Sequence, residues 1–147
     1  MQNLLKQEKR NLQIDKLYEI AESMGVAVEG FNLPKNGAVS VMTSCGNCAI
    51  GLDNSKYYSQ AERTTMLAHE LGHCISGAFY NEFSPFSLKS KCEKKADEWA
   101  ILNCVPYTEL VKAYSDGVST VYELAEHFGV SETLIVKARE YYSEREN

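Results

Sequence analysis

Residues 69–73 read His-Glu-Leu-Gly-His, and this pentapeptide restricts the fold more than any other part of the chain. Two imidazoles four residues apart stand on one helix face with neighbouring Cβ atoms. In a strand the same spacing would hold them about 13 Å apart. If both are to serve one centre, the segment must be helical and turn that face toward a cleft. The flanks allow it: Thr64, Thr65, Met66, Leu67 and Ala68 are compatible with a helix, and the helical pattern runs from about Ser59 to Ile75. Gly72 leaves room for a second element to approach closely. Two histidines so placed can share one divalent ion, and Glu70 stands beside the first to take a proton from an attacking water. A surface helix with two solvated histidines is the plainer alternative.

A catalytic zinc takes three protein ligands and leaves one position open. The chain has three histidines, and the third, His127, lies far downstream. A better third ligand follows at residues 91–100, Lys-Cys-Glu-Lys-Lys-Ala-Asp-Glu-Trp-Ala. Glu93 and Asp97 share a helical face, and the small Ala96 and Ala100 flank it, so this helix can come close to the histidine helix. Glu93 is then the third ligand. Asp97 can accept a hydrogen bond from the far nitrogen of a ligating histidine and fix its tautomer. Tyr80, in the loop after the histidine helix, and His127 are candidates for stabilising the oxyanion formed when water attacks a carbonyl. Two imidazoles and a carboxylate suit one zinc ion.

Around this centre the chain reads as α+β. Leu12, Leu17, Ile20, Ala21 and Met24 predict an opening amphipathic helix that stops at Gly25. Val26 to Phe31 is β-prone, residues 34–37 read as a turn, and Ala38–Met42 and Ala49–Leu52 read as two strands of a small antiparallel sheet. Asp53 to Lys56 leads out of the sheet. One of those two strands is expected at a sheet edge beside the histidine helix, where a peptide could add as a further strand. A second helix is expected from about Lys91 to Cys104, ending before Pro106, and two or three short helices after Thr108.

With 147 residues, 44% hydrophobic and 24% charged, one domain over 1–147 is expected, with the sheet and metal core in about 1–106 and a helical segment in about 107–147. The start lacks the apolar core of a signal peptide, and no window approaches a membrane span, which predicts a cytoplasmic address with no membrane partner. The five cysteines, an odd number, predict reduced thiols, with Cys45 and Cys48 in a hairpin and Cys74 facing the core.

His69-Glu70-Leu71-Gly72-His73, followed by Glu93-x-x-Ala96-Asp97-x-Trp99-Ala100 and a helix-closing Pro106, resembles the ImmA/IrrE family of metallopeptidases. The resemblance covers about residues 15–145. It implies a cytoplasmic zinc peptidase, often encoded by a mobile element or prophage, that acts as an anti-repressor by clipping a helix-turn-helix repressor. Two other readings compete. Val121 to Ala138 itself resembles a helix-turn-helix unit, which would make the chain a DNA-binding regulator. The net charge of −5 and the four acids against two bases between Ser119 and Glu140 oppose direct nucleic-acid binding. A metal-binding module without turnover is the other reading, opposed by the intact Glu70.

Overall fold

The structure, a computed structural model, describes residues 1–33, 35–55 and 58–146. Pro34 of the expected turn and Lys56 of the expected exit from the sheet lie outside the described residues. Helix α1 spans Gln2–Ser23 and so begins about ten residues before the apolar periodicity does. Its first turns are built from Leu, Lys, Gln, Glu and Arg, whose intrinsic helix preference is high, and they leave Leu4, Leu5 and Leu12 exposed. The buried stripe is Leu17 and Ala21, with Ile14 half-buried beside them.

Strands β1 (Ala27–Phe31), β2 (Ala38–Met42) and β3 (Cys48–Asp53) follow. Their order is β1-β3-β2: β2 and β3 form an antiparallel hairpin, and β1 pairs with β3 in parallel. The sheet is therefore mixed, which corrects the antiparallel sheet expected from the hairpin alone. The link from β1 to β2 crosses the end of β3, and Asp53 secures it. The buried Asp53 carboxylate accepts from Leu33 N (2.7 Å) and Ser55 N (2.8 Å), while Asp53 N donates to Gly37 O (2.7 Å). β3 lies in the middle, and β2 is an edge that runs beside the histidine helix.

That helix, α2 (Gln60–Ser76), starts at a capping box: Ser59 accepts from Glu62 N, and Glu62 accepts from Ser59 N. It packs against α3 (Phe86–Cys104). Gly72 makes their close approach possible, since a Cβ built there would stand 2.6 Å from Ala96 O and 2.8 Å from Ala96 Cα. α3 begins five residues earlier than expected, because Pro85 sets a helix-compatible φ of −57° and its carbonyl accepts from Leu88 N (3.0 Å) and Lys89 N (3.1 Å).

Three helices complete the chain: α4 (Tyr107–Ser115), α5 (Val121–Phe128) and α6 (Glu132–Glu146). α6 buries Leu134, Ile135, Ala138 and Tyr142. It is joined to α3 by Lys137 Nζ to Asp97 Oδ2 (3.1 Å) and by Tyr141 OH to Glu98 Oε1 (3.1 Å). The Tyr142 hydroxyl donates to Val105 O at 2.7 Å, just past the end of α3. α1 reaches this segment through the Arg10–Glu126 ion pair and through Gln13, which donates to Cys104 O and Phe128 O. One core cluster takes in Leu17, Ile50, Leu67, Leu71, Ile101, Leu124 and Ile135.

Cys48 and Cys74 form a disulfide with Cα atoms 5.7 Å apart, while Cys45, Cys92 and Cys104 are free. The expectation of reduced thiols throughout is corrected: α2 lies against β3, which brings together two cysteines separated by 26 positions. No helix among the described residues is long and apolar enough to cross a membrane.

Candidate metal centre

The helix pair brings His69, His73 and Glu93 together. One ligand atom from each lies within 4.8 Å of the others, and this trio could hold a metal ion. Both imidazoles turn Nε2 toward the same carboxylate: His69 Nε2 is 2.8 Å from Glu93 Oε2, and His73 Nε2 is 3.0 Å from Glu93 Oε1. Their other nitrogens are tied elsewhere. His69 Nδ1 meets Asp97 Oδ1 at 2.8 Å, and His73 Nδ1 meets Ala78 O at 2.6 Å.

A carbonyl only accepts, so Nδ1 of His73 carries a proton, and His69 Nδ1 faces the acceptor Asp97 in the same way. With Nδ1 engaged on both rings, Nε2 is the nitrogen left to serve as ligand. Two imidazole nitrogens and a carboxylate oxygen are a donor set that fits a zinc ion. The surroundings vary from His73, nearly buried at 7% side-chain exposure, to Glu93, open at 41%.

Local sequence explains these orientations. Gly77 adopts φ +66° and turns the chain back at the end of α2, so that Ala78 O meets the histidine one turn earlier. On α3, Asp97 stands one turn beyond Glu93 and reaches the outer nitrogen of His69. Burial pushes the His69 imidazole down, but the Asp97 hydrogen bond and the neighbouring carboxylates outweigh it and leave the pKa raised. Burial pushes the Asp97 carboxyl up, and the His69 hydrogen bond together with Lys137 outweighs that and leaves it lowered.

Glu70 lines one cavity with His73, Tyr80 and Glu93, and a neighbouring cavity with His69 and Asp97. The Tyr80 hydroxyl donates to Glu93 Oε1 at 2.9 Å. His127 is elsewhere. It lies on α5 against α1, in grooves lined by Lys9 and, in turn, Leu5 or Gln13, none of which borders either cavity at Glu70. The expectation that His127 faces the reacting carbonyl is corrected: what separates it from the site is the packing of α5 on α1. The sequence reading missed Ala78 O, which as a backbone group leaves no mark beyond the Gly77 turn. It also missed Lys137, which lay inside the segment read as helix-turn-helix.

A histidine pair on one helix with a carboxylate on the next, and a glutamate beside them in a cleft, defines a metallopeptidase-type protein. The model of the IrrE N-terminal-like domain, Peptidase_M78, matches residues 21–138, and the chain belongs to that family. Comparison with curated proteins and with solved structures gave no match.

Proposed function

We propose that the chain is a cytoplasmic zinc-dependent endopeptidase that cleaves a helix-turn-helix transcriptional repressor, with residues 1–147 acting as one catalytic domain. The observation that carries this reading is the orientation of His69 and His73: each has its Nδ1 tied to an acceptor and its Nε2 turned to Glu93. Family membership supports a protein substrate, and the helix-turn-helix repressor follows from the ImmA/IrrE resemblance.

His69, His73 and Glu93 would hold one zinc ion, which when bound supplies Lewis acidity to polarise a substrate carbonyl and acidify water. Glu70 takes the proton of the attacking water and delivers it to the leaving amine. Asp97 and Ala78 O keep both imidazoles in the tautomer that presents Nε2. Tyr80 supplies a hydroxyl at the cleft for the developing oxyanion. The edge of β2 offers backbone groups to which an extended peptide can add as a strand.

The test is cleavage of a helix-turn-helix repressor encoded next to this chain, by zinc-loaded wild type, Glu70→Gln and Glu93→Ala. Glu70→Gln should bind zinc and fold normally while losing a factor on the order of 10² to 10⁴ in rate. Glu93→Ala should lose zinc. Undiminished cleavage by Glu70→Gln defeats the mechanism. Specific DNA binding that Arg139→Ala abolishes and Glu70→Gln leaves intact would point to the DNA-reading alternative.

A further inference from the structure

Two cavities meet at Glu70. One, about 230 Å³, opens toward His73, Phe79 and Tyr80. The other, about 220 Å³, lies on the His69 side, between α2, α3, β2 and the first turns of α6. Its apolar walls are Met66, Ala100 and Leu134, and Thr133 and Lys137 stand at its rim. Helix α6, which in sequence looked like the reading helix of a DNA-binding unit, thus borders the metal centre.

The edge of β2 sets how a peptide would run past these cavities. Asp53 N bonds Gly37 O, and Thr43 N bonds Asn47 O. Residues 37, 39, 41 and 43 therefore turn their backbone groups to β3, and Ala38, Ser40 and Met42 turn theirs outward. Antiparallel addition is the more stable pairing. A peptide added in that sense runs from the Met42 end toward the Ala38 end. Its residues before the reacting carbonyl pass the cavity at Ser40 and Tyr80, and the residue after it passes the cavity at Asn36 and His69.

We propose that the cavity walled by α6 is a side-chain subsite that accepts one aliphatic side chain, Leu, Ile or Met, from the residue following the scissile bond. This rests on the peptidase reading for its use, and on the cavity for its binding. The volume falls below the roughly 300 Å³ at which small-molecule sites begin and suits a single branched side chain. Lys137, the one lysine or arginine at the rim among the described residues, is engaged by Asp97 at 3.1 Å, so it does not stand free for an acidic side chain. The exposed Thr133 controls its mouth.

Two measurements test this. Glu70→Gln protein with ¹³C-labelled methyl groups is titrated with N-acetyl-leucinamide, and with N-acetyl-glycinamide as control. The Met66 and Leu134 methyl signals should move with the leucine probe alone, and Thr133→Trp, which plugs the mouth, should abolish the movement. Unmoved signals overturn the subsite whether or not the protein is a peptidase. Zinc-loaded wild type is also incubated with a peptide mixture, and cleavage sites are read by mass spectrometry. Leu, Ile or Met should directly follow the bond cut, and Thr133→Trp should lower the Leu-to-Gly ratio there at least about tenfold. A flat profile at that position overturns the proposal. Complete absence of zinc-dependent cleavage overturns the peptidase reading and leaves the subsite to be judged by the methyl signals.

Discussion

At the scale of single residues, Asp97 carries more than its place beside the ligands suggests. One oxygen meets His69 Nδ1 and the other Lys137 Nζ, so it orients an imidazole while its own position is fixed from α6. Asp97→Ala should weaken zinc binding about 10- to 100-fold, measured by competition with a chromophoric chelator, with the far-ultraviolet circular dichroism unchanged. Lys137→Met should reduce affinity less, because Asp97 keeps its contact with His69. The residues in these predictions were legible to different degrees. His69, Glu70 and His73 followed from helical spacing, and Glu93 and Asp97 from the same spacing on a helix bearing two alanines. Lys137 could not be found that way: its neighbour is 40 positions away, and nothing local in α6 marks it.

At the scale of elements, two glycines of the α2 region fail differently when replaced. Gly72 lies under Ala96, whose backbone cannot move aside for a methyl group 2.6 Å from its carbonyl oxygen. Gly72→Ala should push α2 and α3 apart, cost about 1–3 kcal/mol in urea unfolding, and weaken zinc binding because the ligands sit on both helices. Gly77 has open space around it and a positive φ. Gly77→Ala should cost only the left-handed conformation, about 1–2 kcal/mol. Equal loss of metal affinity in the two variants would contradict this distinction. The closeness of the two helices could be anticipated from Gly72, Ala96 and Ala100. The start of α3 could not, because Phe83, Pro85 and Phe86 look like loop, and neither was the parallel pairing of β1, which depends on a crossing held by Asp53.

At the scale of the molecule, the Cys48–Cys74 link joins the start of β3 to the residue after His73. Removing it with Cys48→Ser should lower unfolding free energy by about 3.5 kcal/mol, the chain-entropy value for a loop of this length. In the unreduced folded protein a thiol reagent should rapidly find one of the five cysteines, the exposed Cys45. Cys92 and Cys104 are buried, and burial pushes the Cys104 thiol up to about 12. Complete denaturation with reductant should reveal all five. The pairing was invisible in sequence because partners 26 positions apart are joined only once the sheet has packed on α2. The same link bears on access to the cleft. If the chain cuts protein, a sheet tied to the metal helix favours a target that offers an extended stretch to the edge of β2.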